Sequence, residues 1–338
     1  MRYFFIPLFF AGALFAQEPY TPPSQEVIQS ELRSAEENFE IARKMFQPWY
    51  SGPLLTGSAV NAAPGQAVVQ PYIFTTVTHA EYDDDRHSKN IPNFLEINPL
   101  YYFQTGITDW LDTYMTVPAI FNRQSDIWGS YSGDSSIAFG IQLQKETPYR
   151  PYVRLTISET LPTGKYDNLD PEKNGVDATG GGSYNTTFSF NLSKVFWWSK
   201  LHPIAMRSNL FYTFTTPTHV DNLNAYGGGP GTDGKVKPGN SWGIDVGYEY
   251  SITQRWVFAL DAVYTYFNKA SFSGSRGRDA NGNPFSVGGP SGDQLSFAPA
   301  IEYNPSSTFG MVAGVWFTAT GRNSGNFASL VYTFYAVF

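Results

Sequence analysis

Twelve segments of alternating apolar and polar residues follow one another from Gly65 to the end of this 338-residue chain. Each is close to the ~10 residues that a tilted β-strand needs to cross a hydrocarbon layer. The predicted strands are 66–78, 93–106, 109–121, 135–145, 150–160, 184–195, 202–214, 241–251, 255–267, 293–303, 308–319 and 327–338. Every second connection is short, whereas the others are mostly long and polar, above all 161–183, 215–240 and 268–292. Short turns at one end and long loops at the other are typical of a membrane barrel.

The two faces of each predicted strand differ in polarity. In the eighth segment one face is aromatic and aliphatic, and the other carries Gly243, Asp245, Gly247 and Glu249. Aromatic residues make up 17% of the chain, as expected where aromatic girdles mark two membrane interfaces. We therefore predict an all-β fold: a 12-stranded antiparallel transmembrane β-barrel with a short N-terminal α-helix. The apolar faces should meet lipid, and the other faces should line the lumen.

The last segment, 327–338, is amphipathic up to its final residue. A bare aromatic edge invites aggregation in a soluble protein, but a closed barrel has no free edge. We expect this strand to pair with the first one near 68–77. Its predicted lipid-facing residues are Leu330, Tyr332, Phe334 and Phe338. The terminal Phe resembles the C-terminal signature of bacterial outer-membrane barrels, which implies that location and the barrel-insertion machinery, outer-membrane lipid and lipopolysaccharide as partners.

The N-terminal part divides into two predicted regions. The apolar run 3–16 is too short to span a bilayer and is typical of a secretory signal peptide, so 1–16 should be removed. Apolar residues recur every three or four positions over 24–46, which predicts an amphipathic helix. The region 17–64 is thus predicted to be a periplasmic helix and linker before the barrel, 65–338. The helix could dock on or enter the barrel, or form a periplasmic oligomer seam.

Several function classes are excluded by composition. The chain has no cysteine, which rules out disulfides, cysteine-ligated metals and a lipoprotein anchor. A net charge of −7 argues against nucleic-acid binding. None of the four histidines has a convincing serine partner for nucleophilic catalysis. We therefore predict no enzyme, and no catalytic residue, cofactor or metal site.

Charged residues on the inward faces are the candidate site. A tight turn near 252–254 would place Asp245 opposite Asp261, and like charges in that position need water, a cation or a shared proton. Arg207, on the preceding strand, is the natural partner. These three residues could form a charged constriction, or they could belong to a structural ion-pair network that holds the barrel round. The predicted lumen residues are Arg207, Asp245, Asp261, Arg154, Glu249, Glu302 and Glu96.

The fifth predicted strand runs into Leu161-Pro162-Thr163-Gly164 and an acidic, Gly-rich loop. This resembles the FadL-like outer-membrane barrel family named for the meta-pathway of phenol degradation. The segment 49–57, WYSGPLLTG, is also similar to uncharacterised outer-membrane proteins of intracellular bacteria. The resemblance implies a channel without catalytic residues, in some members linked to uptake of aromatic or other apolar compounds. We expect passive uptake of small solutes, hydrophobic or aromatic ones included, through a narrow charged lumen. The alternative is a surface-exposed interaction protein that acts through its long loops.

Overall fold

One α-helix precedes the barrel. In the computed structural model, which describes residues 24–45, 49–197 and 202–338, helix α1 spans Gln25–Met45. The Ser24 hydroxyl accepts a hydrogen bond from the backbone N of Val27 (3.4 Å) and so caps the first turn. Within the described ranges no helix has the length and apolarity needed to cross a membrane. The predicted helix is confirmed; its docking or oligomer role stays a prediction, and the predicted signal peptide lies outside the described residues.

The remaining described residues contain sixteen β-strands and one short 3-10 helix, Pro171–Lys173. The strands are β1 (Ala67–Tyr82), β2 (Ser88–Gly106), β3 (Leu111–Gln124), β4 (Ile127–Ser132), β5 (Ser135–Gln144), β6 (Tyr152–Leu161), β7 (Asn185–Phe196), β8 (Ile204–Thr215), β9 (Thr218–Asn224), β10 (Gly227–Lys237), β11 (Ser241–Ser251), β12 (Trp256–Phe267), β13 (Ser271–Arg276), β14 (Gly292–Tyr303), β15 (Phe309–Arg322) and β16 (Ser324–Val337).

Twelve of these strands close into an antiparallel barrel. Their order around the wall is β1, β2, β3, β5, β6, β7, β8, β11, β12, β14, β15 and β16. The last strand pairs with the first, with Val68 opposite Val337 and Phe74 opposite Val331. Because every backbone group must find a partner inside a bilayer, only such a closed sheet can span it with strands. The predicted twelve-stranded fold and its closing seam are confirmed.

Side-chain exposure alternates along the wall. In β16, Leu330 is 65% exposed and Tyr332 44%, whereas the intervening Val331 and the following Thr333 are buried. Since successive side chains of a strand point to opposite faces, one face looks outward and the other into the barrel. The outer surface is therefore apolar over the membrane-spanning height. The barrel has the construction of a bacterial outer-membrane protein, with short turns on the periplasmic side and long loops outside.

The long loops are folded rather than extended. Strands β9, β10 and β13 form a separate three-stranded sheet, whose core contains Val220, Val236 and Val287. The loop after β6 folds back over the inward face of β3, where the Asn122 side-chain amide donates to the carbonyls of Val176 and Ala178 (both 3.1 Å). These loops make a structured cap at the extracellular end.

Candidate functional site

The barrel interior holds a stretch of its own chain. Residues 49–65, here called the crossing segment, contain no helix or strand and run directly into β1. The segment begins at the short-turn end, where the backbone N of Trp49 donates to the carbonyl of Gln254 (3.3 Å). The side-chain amide of Asn304, in the next short turn along the chain, donates to the Trp49 carbonyl (2.8 Å). The predicted linker therefore contains a lumen-filling portion, while the predicted domain boundaries themselves stay predictions.

Two buried carboxylates on one wall hold the first half of the segment. Glu302 on β14 accepts a hydrogen bond from the backbone N of Ser51 (2.8 Å). Asp261 on β12 accepts three, from the backbone N of Leu55 (3.2 Å) and from the backbone N and hydroxyl of Thr56 (2.9 and 2.6 Å). A buried backbone outside regular structure needs such partners for its N–H groups. The carboxylates supply them.

A missing side chain on the wall leaves room for the segment. A Cβ atom on Gly247 of β11 would lie 2.7 Å from Cγ of Pro53 and 3.1 Å from Cβ of Thr56. All three nearest atoms belong to the crossing segment and none to the wall. Leu54 packs beside this point in an apolar cluster that includes Ala300 and Val331. Small residues on the inner wall, such as Gly247 and Ala300, thus leave the space that the crossing segment occupies.

Arg207 completes this side. Its guanidinium pairs with buried Glu249 (Nε to Oε2, 2.8 Å), and its Nη1 would be 2.8 Å from a Cβ on Gly52. Gly52 has a φ of +105°, a conformation that other residues rarely adopt. Position 52 therefore requires glycine for two reasons: its φ angle is positive, and a Cβ atom would collide with the Arg207 guanidinium. We call Arg207, Glu249, Asp261 and Glu302 the Arg207 cluster.

A second charged group lies on the opposite wall. Arg154 on β6 and Asp112 on β3 form an ion pair (Nη2 to Oδ1, 2.6 Å) whose side chains are 5% and 0% exposed. Asp112 also accepts hydrogen bonds from the backbone N of Ala62 (3.0 Å) and the Gln104 amide (2.5 Å). Arg154 donates to the Ser58 carbonyl (3.3 Å). We call Arg154, Asp112 and Gln104 the Arg154 cluster.

Neutral side chains fasten the last part of the segment. The backbone N of Ala59 donates to the Ser193 hydroxyl (3.1 Å), and the backbone N of Asn61 donates to Gln142 Oε1 (2.9 Å). The segment is therefore bound to β12 and β14 at one side and to β3, β5, β6 and β7 at the other. It bridges the lumen near its periplasmic end.

The predicted lumen residues fall into three groups. Arg207, Glu249, Asp261 and Glu302 come together in the Arg207 cluster, and Arg154 lies in the cluster across the lumen. Asp245 and Glu96 are inward-facing members of β11 and β2; among the hydrogen bonds of the described residues, none joins either to the crossing segment. Asp112 was not predicted, although the alternation of the third predicted strand already places it on one face with Tyr114 and Thr116.

The predicted pairing of Asp245 with Asp261 is wrong. Asp245 lies opposite Val263, and Asp261 lies opposite Gly247. The hairpin turn is centred one residue later than expected because the Thr253 hydroxyl accepts from the backbone N of Arg255 (3.2 Å) and of Trp256 (3.0 Å). A one-residue move of the turn centre shifts the pairing by two residues.

The corrected register has a consequence for the site. Asp261 still faces inward, because side chains alternate with a period of two. Gly247 is also opposite Arg207 of β8. Arg207, Gly247 and Asp261 thus form one row across three strands, with the crossing segment resting on the glycine in the middle. The charged side chains of Arg207 and Asp261 therefore flank the crossing segment, and the two carboxylates Asp245 and Asp261 do not face each other directly.

Free space remains beside the segment. A cavity of about 230 Å³ lies between it and the wall formed by β2, β3, β6, β7 and β8. Two tyrosines of this wall, Tyr102 and Tyr114, are stacked with their ring centres 5.1 Å apart. Other lining residues are Arg154, Thr156, Asn191 and Asn209. The cavity is thus polar, with one aromatic wall.

A group of rings lies on the other side of the lumen. Phe74 and Trp316 are in edge contact (6.4 Å between ring centres), and Trp316 contacts Phe327 (4.7 Å). Tyr72 stacks on Phe74 (5.6 Å). Tyr72, Phe74 and Trp316 pack against the apolar cluster that contains Leu54. The lumen therefore has an aromatic side and a polar side, separated by the crossing segment.

Comparison with known proteins gives the fold and no family. No family model and no curated protein matches the chain. Among solved structures, an outer-membrane channel from Pseudomonas putida F1 has a TM-score of 0.65 at 12% identity, covering 83% of this chain and 98% of that one. The monoaromatic hydrocarbon channel CymD gives 0.41 at 8% identity (87% and 99% covered), and the Pseudomonas putida toluene transporter TodX gives 0.37 at 10% (86% and 98%). The first of these likenesses shows a shared barrel fold.

Proposed function

We propose that the protein is an outer-membrane channel for passive uptake of small solutes, with the crossing segment as its constriction. The observation that carries this is the bridged lumen: a closed barrel in which a non-strand segment leaves a polar cavity of about 230 Å³ beside it. Eight-stranded barrels are filled by side chains, and barrels of 16–18 strands hold an open aqueous pore. Twelve strands give an intermediate width, which one segment narrows.

We further propose that the solutes include aromatic compounds. The partly exposed rings of Tyr72, Phe74 and Trp316 offer faces and edges to an aromatic solute, which such rings bind by stacked or edge contacts. The stacked pair of Tyr102 and Tyr114 offers a second surface within the cavity. This assignment agrees with the names of CymD and TodX, but it rests on the rings of this chain.

Membership of the FadL-like phenol-degradation barrels belongs to the same proposal. The element 161–164 that resembles that family has a structural role here. The Thr163 hydroxyl donates to the carbonyl of Gly133 (2.7 Å), and the backbone N of Gly164 donates to Asp134 (2.9 Å). The motif thereby folds the loop after β6 back over the mouth of the barrel, where it would control entry.

The interaction-protein alternative rests on the folded cap of β9, β10 and β13, which could present a fixed surface to a partner. A cap of this kind also suits a channel, because it restricts access to the lumen. The internal cavity and the shaped bridge have no role in a purely external interaction. The channel is therefore the function that the site supports best.

Solute swelling of proteoliposomes tests the proposal. Vesicles with the purified barrel should swell in small neutral sugars faster than protein-free vesicles, and an added water-soluble aromatic compound should slow that swelling. The double variant Phe74→Leu/Trp316→Leu should lose most of this inhibition while it keeps its sugar permeability. Swelling no faster than in protein-free vesicles would contradict the channel; inhibition that is unchanged in the variant would contradict the aromatic preference.

A further inference from the structure

A small pocket lies at the rim of the extracellular end, outside the lumen. Its volume is about 300 Å³, and we call it the rim pocket. The residues that bound it are Lys237, Pro238, Asn240, Asn268, Lys269 and Ser271, with the backbone of Gly239. They lie at the end of β10, in the turn between β10 and β11, and between β12 and the first residue of β13. No residue in this set carries a negative charge.

The rim pocket opens on the lipid side of the barrel. The Asn240 side-chain amide donates to the hydroxyl of Tyr212 (3.2 Å), and Tyr212 points outward, since its neighbours on the same face, Leu210 and Phe214, are half exposed. Tyr212 lies opposite Trp242, which in turn lies opposite Tyr266. Tyrosine and tryptophan collect at the level of lipid headgroups. The pocket is therefore just above an aromatic row that marks the outer membrane surface.

The floor of the rim pocket is rigid. The Thr215 hydroxyl donates to the carbonyl of Pro238 (2.6 Å), and the backbone N of Asn268 donates to the carbonyl of Asn240 (2.9 Å). A Cβ atom on Gly239 would collide with the Asn268 carbonyl, so the backbone segments around these two residues approach as closely as glycine allows. The backbone next to Lys237 and Lys269 is therefore fixed by hydrogen bonds before any ligand binds.

Both lysines are free to bind an anion. Lys237 and Lys269 are exposed, and among the ion pairs of the described residues neither has a carboxylate partner. Two ammonium groups beside a neutral, hydrogen-bonding floor suit a phosphate, which lysine binds as a point charge. Positive side chains at a membrane surface also attract anionic headgroups.

We propose that the rim pocket binds a phosphate group of lipopolysaccharide in the outer leaflet. Lys237 and Lys269 would contact the phosphate, and the acyl chains of the same lipid would lie along Tyr212, Trp242 and Tyr266. The lipid source is favoured over a free phosphate because the charged pair and the aromatic row form one continuous outward surface. The site is independent of what passes through the lumen.

Equilibrium binding of fluorescently labelled lipopolysaccharide to the full-length protein in detergent tests this proposal. The variant Lys237→Ala/Lys269→Ala should bind about thirty-fold more weakly, the loss expected for two surface lysines at an anionic headgroup. The matched control is Lys145→Ala/Arg150→Ala, which removes two exposed positive charges at the periplasmic end. Lys237→Arg/Lys269→Arg should keep most of the affinity. Heat-modified gel mobility shows that each variant is folded.

Two further arms identify the chemistry. Dephosphorylated lipopolysaccharide should bind the native protein as weakly as the intact lipid binds the double alanine variant. Inorganic phosphate should not displace the lipid. Equal affinity of the alanine variant and the control would overturn the proposal. Displacement by inorganic phosphate would overturn it too, because the pocket would then be a free-phosphate site.

Discussion

Deletion of residues 17–62 should raise the single-channel conductance of the reconstituted barrel several-fold. The deletion removes nearly all of the crossing segment, which bridges the lumen between the Arg207 and Arg154 clusters. The strands should still close, because their ladders pair with one another and not with the segment. Asp261 and Asp112 lose hydrogen-bond donors, but water would enter the emptied lumen and solvate them. Planar-bilayer recordings of the deletion and the full-length protein give the ratio directly.

A shorter deletion provides the control. Removal of 17–45 takes away helix α1 and keeps residues 49–65, so its conductance should match that of the full-length protein. An equal increase of the conductance in both deletion variants would show that the helix region, and not the crossing segment, restricts the pore. Equal conductance of all three proteins would show that the crossing segment does not limit the pore.

Substitution of Arg154 by alanine should destabilise the barrel by about 3–5 kcal/mol, because removal of one partner leaves the other as an uncompensated buried charge. The partner is Asp112, whose side chain is fully buried. Replacement of both residues, Arg154→Met/Asp112→Leu, should recover much of the loss, since no charge is then left without a partner. Urea unfolding in the presence of lipid vesicles, followed by tryptophan fluorescence, measures the free energies of unfolding.

The matched control for this substitution is on the same hairpin. Arg150→Ala removes an exposed arginine next to the turn before β6, and exposed charges contribute about 0–1 kcal/mol. If Arg154→Ala cost no more than Arg150→Ala, the ion pair would not stabilise the barrel. A double variant less stable than Arg154→Ala would show that the packing of the two side chains matters more than their charges.

The barrel could be predicted from the sequence because each strand carries its own signal. In every barrel strand, apolar and polar residues alternate with a period of two, which distinguishes lipid-facing from lumen-facing side chains. The alternation of short and long connections indicates that consecutive barrel strands are antiparallel neighbours. The seam between β16 and β1 followed from the same pattern. The strands β9, β10 and β13 were not predicted, because β10 is rich in glycine and β9 and β13 are short, features that are typical of loops. The pairing of β10 with β13 also depends on contacts between two different connections of the barrel.

The site was only partly predictable. Four of the seven predicted lumen residues come together around one wall, since inward position follows from alternation. The crossing segment has no periodicity, and its small residues are equally typical of a linker, so its place inside the barrel did not follow from the sequence. Its partners lie on at least eight different strands. The error at Asp245 and Asp261 arose from one hydroxyl, that of Thr253, which sets the turn and hence the register.

A disulfide cross-link tests most directly whether the crossing segment restricts the lumen. The chain has no cysteine, so Pro53→Cys/Gly247→Cys would introduce a single pair. A Cβ on Gly247 lies 2.7 Å from Cγ of Pro53, a separation near that between a Cβ and the opposite sulfur of a disulfide. We expect the disulfide to form in the folded barrel and to hold the conductance low. The 17–62 deletion should conduct several-fold more than this cross-linked protein, because only the deletion removes the segment from the lumen. Failure to cross-link, or a cross-linked protein that conducts as well as the 17–62 deletion, would contradict restriction of the lumen by residues 49–65.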